Sequence, residues 1–343
     1  MYEIDEISEL SKKNQKLFNR IQGQIEYCYN CQPYDEGEPV WIHGDRTEIS
    51  ELLYDYNVPE NLHELFARNL SCRCGTSDFY PFSEIGQKTK YEIELDRHFE
   101  FAKRKYGKPL SEFKNLIIKH PFLSLDCKIA RDIKKEIEAK KLPVETVSGE
   151  FYRCRKVEND IAFETKDLML APIGIPKEGR FNHSGQSHLY LSKEKDTAKA
   201  EILGDTEKSR LVWIQKIDIK KPIENILDLT FDWTMMTLST HALLIALHTG
   251  GYLSCIKDNE GNWRPDYFIT RFIMDCAKKA GYNGIKYESA RSYIGDNIVL
   301  FHYSAENIIS EEPPVIETFV PDSNEYPILY NGDLFEDKSF GDI

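Results

Sequence analysis

The chain has 343 residues and a formal net charge of −13, because 57 aspartates and glutamates outnumber 44 lysines and arginines. This length allows two or three compact units, and a hydrophobic content of 41 % excludes a disordered chain. The acidic balance argues against nucleic acid as a substrate, since phosphate binding by bulk charge requires clustered lysine and arginine. Nine carboxylates and one lysine in residues 311–343 give this tail −8 of the charge, so the rest of the chain is only mildly acidic.

The first 150 residues show mainly helical patterns. Apolar residues spaced by three and four predict an amphipathic helix over residues 1–27, and shorter helices are predicted over 49–56 and 60–70. A charged helical region follows over 90–141, with interruptions predicted at Pro109 and Pro121, where proline should end a helix. The helical period is lost over residues 142–149, which indicates a boundary.

Strands and helices alternate from Glu150 onward. The predicted strands cover residues 151–155, 188–191, 211–219, 283–287 and 297–302. The predicted helices cover residues 197–202, 233–248 and 266–280, and Gly281 should end the last of them. This pattern predicts an α+β fold, in which a mixed α/β domain follows a helical N-terminal region. The proline-containing segment after Ile309 is predicted to be an extended or disordered arm.

The sequence predicts a cytoplasmic protein without a membrane segment. No basic and apolar signal follows Met1, and the longest apolar run, residues 242–247, is too short to cross a bilayer. Cysteines stay reduced in the cytosol, so close cysteine pairs are interpreted as metal ligands or thiols rather than as disulfides.

Two close cysteine pairs lie near the N-terminus, Cys28 with Cys31 and Cys72 with Cys74. Each pair can present two thiolates from a tight turn, as the knuckles of a zinc ribbon do, and four thiolates suit a closed tetrahedral Zn²⁺ site. The sequence therefore predicts a structural zinc ion bound by these four residues.

Other interpretations of the cysteines stay open. The two pairs could be reduced thiols without a metal, and two histidines could act as substitute ligands: His43 and His63. The other four cysteines lie singly in apolar patterns and are predicted to be buried thiols: Cys127, Cys154, Cys255 and Cys276.

Five short segments in the second half of the chain carry residues suited to chemistry: 152–155, 179–191, 196–201, 284–291 and 295–297. In these segments arginines lie near glycine-rich turns, Tyr190 ends a strand and Glu201 opens a helix. An arginine side chain is a planar fork that can bind phosphate or carboxylate through two hydrogen bonds, and glycine lets the backbone approach such an anion closely. These residues predict a small anionic ligand.

The same segments resemble the RES domain, a family named for arginine, glutamate and serine. The resemblance runs from about Phe151 to Tyr303 and depends on five pieces in the right order: Gly-Arg-Phe-Asn at 179–182, Leu-Tyr-Leu at 189–191, Thr-Ala-x-Ala-Glu at 197–201, Leu-Asp-Leu at 227–229 and Gly-Ile-x-Tyr-x-Ser-Ala-Arg at 284–291. It implies a fold related to that of the ADP-ribosyltransferases. It also implies that the protein degrades NAD⁺, as a toxin of a toxin–antitoxin system or as a defence effector against viruses.

The resemblance also implies roles for individual residues. The residues that give the family its name, which would be catalytic, correspond to Arg180, Glu201 and Ser289. Further residues of the NAD⁺ pocket would be Arg153, Arg155, Tyr190 and Asn297. Glu201 could stabilise a positively charged ribose and Tyr190 could stack on the nicotinamide. The two histidines near the turn, His183 and His188, are assigned polar loop and strand roles instead.

Several functional alternatives stay open. The group that attacks the ribose could be inorganic phosphate, water or a protein side chain, which would make the protein an NAD⁺ phosphorylase, an NAD⁺ glycohydrolase or a protein ADP-ribosyltransferase. A non-catalytic protein that binds a nucleotide and interacts through its zinc module is a further alternative. The implied partners are an antitoxin or regulatory protein and a second copy of the chain.

The region before the RES segment is predicted to regulate or to bind a partner. A subset of RES proteins carries a cysteine-containing N-terminal module that is described as HEPN-like, and the first 150 residues resemble it. The RNase signature of active HEPN domains is missing from residues 76–150. The predicted division is a zinc-binding helical module at 1–80, a helical regulatory module at 81–149, the RES catalytic domain at 150–309 and an acidic tail at 310–343.

Overall fold

The computed structural model describes residues 7–35, 37–157, 162–203, 210–230, 238–254, 264–291, 295–304, 306–310 and 312–319, apart from the side chains of residues 9 and 238–240. The chain divides into two compact units, Met1–Arg97 and His98–Ile343. Within the described ranges, no helix combines the length and the apolar character that crossing a membrane requires. The predicted four-part division of the chain stays a prediction.

In its described residues, the N-terminal unit combines three α-helices and the start of a fourth with two small sheets. Its elements in chain order are α1 (Lys12–Gln22), β1 (Ile25–Cys28), β2 (Tyr34–Asp35), β3 (Glu38–Pro39), β4 (Asp45–Glu48), α2 (Ile49–Asp55), α3 (His63–Asn69) and β5 (Glu84–Gln87). Strands β1, β5 and β4 form an antiparallel sheet in that order, and β2 pairs with β3. The helix predicted over residues 1–27 is shorter than expected, because Gly23 caps α1 and the chain continues as β1.

One hydrophobic cluster holds the N-terminal unit together. Phe18 and Ile21 on the inner face of α1 pack with Leu52 of α2 and Phe66 of α3, and the rings of Phe18 and Phe66 meet edge to face at 5.4 Å. Cys28 and Cys72 are buried members of the same cluster. The cysteine pairs therefore lie next to the core of this unit.

The second unit begins within a long helix whose first residues belong to the N-terminal unit. Helix α4 (Lys90–Lys119) ends before Pro121, as predicted, and α5 (Lys128–Glu138) follows a short 3₁₀ segment. The interruption predicted at Pro109 is wrong, because α4 continues through this residue. Buried residues on both sides of the proline, Tyr106 and Leu110, fix the helix against the core, and this packing offsets the single hydrogen bond that proline removes.

A seven-stranded mixed sheet forms the centre of the second unit. Its strands are β6 (Val144–Lys156), β7 (Leu189–Ser192), β8 (Arg210–Asp228), β9 (Gly284–Glu288), β10 (Asp296–Leu300), β11 (Ile308–Ile309) and β12 (Val315–Phe319). The order is β11, β8, β6, β7, β10, β9, with β12 also paired to β8. Strand β9 pairs in parallel with the end of β8, so β8, β6, β7, β10 and β9 close into a ring.

Three helices accompany this sheet, namely α6 (Lys195–Leu203), α7 (Leu238–Thr249) and α8 (Phe268–Lys279). The apolar run 242–247 is part of α7 and is fully buried. Gly281 follows α8 with a φ of 79°, as expected for a glycine that ends a helix. Apolar faces of α4, α5, α7 and α8 share one cluster with residues of β9 and β10. The predicted α+β fold is confirmed.

Part of the predicted acidic tail belongs to the sheet. Residues Val315–Phe319 form β12, which pairs with Arg210–Ile214 of β8. Glu317 on this strand forms ion pairs with Lys195 at 2.8 Å and with Lys199 at 3.0 Å, both on α6. Disorder is therefore excluded for these five residues, which are extended and paired with the sheet. The residues after Phe319 lie outside the described part of the chain.

Candidate active site

A cavity of about 370 Å³ opens between β6, β7, β10, α6 and the turn at Gly179–Asn182. Five arginines line it: Arg153, Arg155, Arg180, Arg264 and Arg291. Among the described residues, Glu201 is the only acidic side chain in its wall. Positive charge concentrated in a partly enclosed cavity attracts anions and raises their local concentration. The charge of the cavity is therefore opposite in sign to that of the whole chain.

Four of these arginines have no carboxylate partner within the described ranges: Arg153, Arg155, Arg180 and Arg264. Backbone oxygens and aromatic rings hold them instead. Arg180 donates through Nη1 to the carbonyl of Glu288 at 3.1 Å, and its guanidinium lies 5.0 Å from the ring centre of Tyr287. Arg153 donates to the carbonyl of Tyr190 at 3.4 Å. Such contacts leave other guanidinium donors available for an anionic ligand.

Two neighbouring arginines on β6 repel each other. Burial lowers the pKa of Arg153 to about 10, and the positive charge of Arg155 acts in the same direction. Residues two apart on a strand share a face, which accounts for this proximity. An anion bound between the two side chains would relieve the repulsion.

Glu201 is held by two hydrogen-bond donors from distant parts of the chain. Its Oε1 accepts a hydrogen bond from Ser289 Oγ and another from Asn297 Nδ2, each at 2.7 Å. Asn297 in turn accepts a hydrogen bond from Ser192 Oγ at 2.5 Å. The carboxylate is therefore fixed through Oε1, and Oε2 has no hydrogen-bond donor within the described part of the chain.

The position of Glu201 in its helix differs from the sequence prediction. Helix α6 begins at Lys195, so Glu201 lies in the last described turn and does not open the helix. The carboxylate is therefore too far along the helix to act on its first turn, where a negative charge would favour the helix dipole.

The turn at Gly179–Asn182 is organised by Tyr190. Its hydroxyl accepts a hydrogen bond from the amide of Phe181 at 3.0 Å and donates to Asn182 Oδ1 at 2.9 Å. Burial raises the pKa of Tyr190 well above its usual range, so the hydroxyl stays protonated. A Cβ atom at Gly179 would lie 2.3 Å from Asn182 Oδ1, which explains why this position needs glycine. Whether the ring stacks on a nicotinamide stays a prediction.

The structure brings all seven predicted site residues together. Six of them line the cavity: Arg153, Arg155, Arg180, Tyr190, Glu201 and Asn297. Ser289 contacts Glu201 directly. Wall residues that the sequence did not assign to the site include Ser192, Arg264, Tyr267 and Tyr287. Tyr287 could have been found, since it is the tyrosine of the Gly-Ile-x-Tyr-x-Ser-Ala-Arg motif and lies two positions before Ser289. Arg264 and Tyr267 belong to no motif that would mark them.

His183 and His188 lie outside the cavity wall. His183 is 44 % exposed and contacts Asp275 at 2.8 Å. His188 is buried, with Nδ1 2.8 Å from the carbonyl of Phe181 and Nε2 3.2 Å from Lys278 Nζ. The lysine can only donate, so His188 is neutral with its proton on Nδ1.

His188 is expected to make the protein sensitive to mild acid. Burial lowers the pKa of His188 from 6.5 to about 4, so between these values the unfolded chain binds a proton that the folded chain does not. The contribution of His188 should therefore lower the free energy of unfolding by about 3 kcal/mol as the pH drops from 6.5 to 4. Urea unfolding at several pH values measures the free energy of unfolding. In H188Q this free energy should depend less on pH than in the wild type. H183Q, at the exposed histidine, serves as the control and should leave this dependence on pH unchanged; an unaltered profile in H188Q would contradict the assignment.

The four N-terminal cysteines converge at one point. The Sγ atoms of Cys28 and Cys74 are 3.5 Å apart, those of Cys31 and Cys72 are 3.5 Å apart and those of Cys28 and Cys31 are 3.9 Å apart. All four lie within 4.8 Å of one another. A tetrahedron of sulfurs around zinc has edges of about 3.8 Å, given Zn–S bonds of about 2.3 Å. The cluster could therefore hold one metal ion.

The other candidate ligands and cysteines lie elsewhere. His63 contacts the carbonyl of Val58 at 2.9 Å, and His43 stacks on Tyr27 at 5.3 Å. Neither histidine belongs to the cluster found among the described residues. Cys154 and Cys276 are buried thiols as predicted, Cys127 is only half-buried, and Cys255 lies outside the described residues.

Comparison with known proteins agrees with the motif assignment. The family model described as RES domain matches residues 150–323, just over half of the chain. The chain belongs to the RES domain family. A similar solved structure is the crystal structure of the M. tuberculosis MbcT–MbcA toxin–antitoxin complex, which is 13 % identical, with a TM-score of 0.34 over 55 % of this chain and 92 % of that one. No curated protein sequence matches the chain significantly. The predicted HEPN-like nature of the N-terminal region stays a prediction.

Proposed function

We propose that the protein cleaves the nicotinamide–ribose bond of NAD⁺. The observation that carries this proposal is the position of Glu201, the one carboxylate among the described residues of the wall, in a cavity lined by five arginines. NAD⁺ has a pyrophosphate that suits arginine forks and a ribose whose bond to nicotinamide breaks with positive charge developing on the sugar. Membership of the RES domain family supports the same substrate.

The proposed mechanism assigns separate tasks to the charged groups. Arg180, Arg153 and Arg155 bind the pyrophosphate and place the ribose beside Glu201. The carboxylate then stabilises the oxocarbenium-like transition state through Oε2, while Ser289 and Asn297 hold Oε1. Nicotinamide leaves as a neutral molecule, so the reaction needs no general acid. Tyr190, which already organises the turn, would contribute its ring face to the cationic nicotinamide.

The group that accepts the ribose distinguishes three enzymes. Inorganic phosphate gives phosphorolysis, water gives hydrolysis, and a protein side chain gives ADP-ribosylation. We favour phosphorolysis or hydrolysis, as the family resemblance implies. Loss of NAD⁺ would be toxic to the cell, so we propose that the protein acts in the cytoplasm as a toxin or defence effector. An antitoxin or another regulatory protein would restrain it. Self-association of the chain is a second proposed means of control.

Incubating the purified protein with NAD⁺, with and without phosphate, tests the proposal. Release of nicotinamide with ADP-ribose-1″-phosphate that requires phosphate would identify a phosphorylase. Release of ADP-ribose without phosphate would identify a glycohydrolase, and transfer of label to protein would identify an ADP-ribosyltransferase. Absence of turnover under all these conditions would leave the non-catalytic nucleotide-binding alternative and refute the enzymatic proposal.

We also propose that the four-cysteine cluster binds a structural Zn²⁺. The donor set of Cys28, Cys31, Cys72 and Cys74 is soft, and four protein ligands leave no position for water, as in structural zinc sites. A bound zinc ion would supply stability by joining the end of β1 to the turn at Cys72–Gly75. No step of the proposed reaction depends on it.

A further inference from the structure

Two side chains from the first turn of α8 form hydrogen bonds to the backbone of the turn that carries Arg180. Thr270 Oγ1 donates to the carbonyl of Arg180 at 2.6 Å, and Arg271 Nε donates to the carbonyl of Gly179 at 3.0 Å. Both side chains are buried, with exposed fractions of 1 % and 2 %. Two consecutive side chains of a helix thus hold two consecutive carbonyls of a turn that lies about 90 residues earlier in the chain.

The same turn is held from its other side by β7 and the residue before it. The hydroxyl of Tyr190 accepts a hydrogen bond from the amide of Phe181, and His188 Nδ1 donates a hydrogen bond to the carbonyl of Phe181. Side chains therefore bind three carbonyls and one amide of this short segment. Since the Cα–Cβ direction follows from the backbone, these contacts also set the direction in which the Arg180 side chain leaves the turn.

Burial of Arg271 is costly, which argues for a geometric role. Its Nη1 forms an ion pair with Glu178 Oε2 at 2.9 Å, but Nη2 lies buried without a hydrogen-bond partner among the described residues. A buried ion pair is frequently no more stabilising than apolar side chains of the same volume. An apolar residue of the same volume would thus fill this position as well as Arg271 does. The hydrogen bond to the carbonyl of Gly179, in contrast, requires a donor.

Thr270 also links the turn to the cavity wall. The oxygen that bonds to Arg180 lies 3.0 Å from the carbonyl of Tyr267, and Tyr267 lines the cavity beside Arg264. One hydroxyl therefore contacts the backbone of two residues that face the same cavity. A shift of the helix would move both of them together.

We propose that Thr270 and Arg271 are positioning residues, which set the orientation of Arg180 toward the pyrophosphate of the substrate by holding the carbonyls of Arg180 and Gly179. This inference rests on the proposed function for the identity of the substrate. An arginine fork forms two hydrogen bonds to an anion only when its direction is right, so a fixed direction favours binding. Geometry matters in the reaction as well, since a misplacement of about 1 Å can lower a rate by about a hundredfold. Neither positioning residue touches the substrate itself.

The pair of variants T270V and T270S separates positioning from packing. T270V keeps the shape of the side chain but removes the hydroxyl, and it should raise KM for NAD⁺ by about tenfold with a smaller change in kcat, since a pyrophosphate contact acts in the ground state and in the transition state alike. T270S keeps the hydroxyl and should return KM to within about twofold of the wild-type value. K279Q, at an exposed residue near the far end of the same helix, is the control and should leave KM unchanged.

Hydrogen exchange of the Phe181 amide gives a second readout that does not depend on turnover. The proposal expects faster exchange in T270V than in the wild type and normal exchange in T270S. Equal KM values and equal exchange in T270V and the wild type would overturn it, as would equal losses in T270V and T270S, which would indicate packing. If the wild type does not turn over NAD⁺, the proposed function fails, and the exchange rates alone then decide whether Thr270 holds the turn.

Discussion

Replacing Glu201 with glutamine should lower kcat for nicotinamide release by about a thousandfold, the upper range for losing one group that stabilises transition-state charge. Glutamine has nearly the same shape, and its amide oxygen can still accept the hydrogen bonds of Ser289 and Asn297. The fold and the binding of the pyrophosphate should therefore survive. What disappears is the negative charge next to a ribose that becomes positive in the transition state.

Steady-state kinetics of E201Q with NAD⁺ measures this loss, and kcat should fall far more than KM rises. D196N provides a matched control, because Asp196 lies on the same helix and its side chain is 87 % exposed. It should keep kcat within about twofold of the wild-type value. Full turnover by E201Q would remove Glu201 from the mechanism and would assign the stabilisation of the ribose to another group.

Replacing Cys72 with serine should abolish zinc binding and strongly destabilise the N-terminal unit. Zinc-finger peptides gain about 10–16 kcal/mol from their metal at neutral pH, an amount larger than the stability of most small domains. Cys72 belongs to the hydrophobic cluster of this unit, so loss of the metal would release the core around it. The protein should then lose one equivalent of zinc and show a separate unfolding transition at lower temperature.

Metal analysis and differential scanning calorimetry of C72S and C28S test this expectation. C127S is the control, since Cys127 is half-buried and lies in the other unit, and it should retain zinc. A chelator should reproduce the effect of C72S on the wild-type protein. Unchanged zinc content in both cluster variants, or a wild-type protein purified without zinc under metal-replete conditions, would contradict the site.

Local sequence patterns located most helices and strands of the second unit. Helix α8 was predicted over residues 266–280 and spans Phe268–Lys279, because its apolar period and Gly281 are both local signals. The same kind of reasoning failed at Pro109, where burial of Tyr106 and Leu110 keeps α4 intact. It also failed for β12, whose pairing with β8 depends on a strand about 100 residues away. Local rules do not include such packing and pairing energies.

The sequence by itself determined which residues could form the site. Arginine, glutamate and serine in an ordered set of motifs identified Arg180, Glu201 and Ser289, and the spacing of the cysteines identified the four candidate metal ligands. These are properties of residue types and short segments. Even the charge of the tail could be separated from that of the remaining chain by counting.

Only the tertiary structure decided how these residues work together. Glu201 meets its two donors across 88 and 96 residues, and the turn at Arg180 is held by a helix that begins about 90 residues later. Arg264, which no motif marks, joins the same cavity. The reason is physical: closing the ring of β8, β6, β7, β10 and β9 fixes distances between segments that the chain order leaves free. An overall charge of −13 thus coexists with a cavity that is locally positive, because folding gathers the arginines in one place.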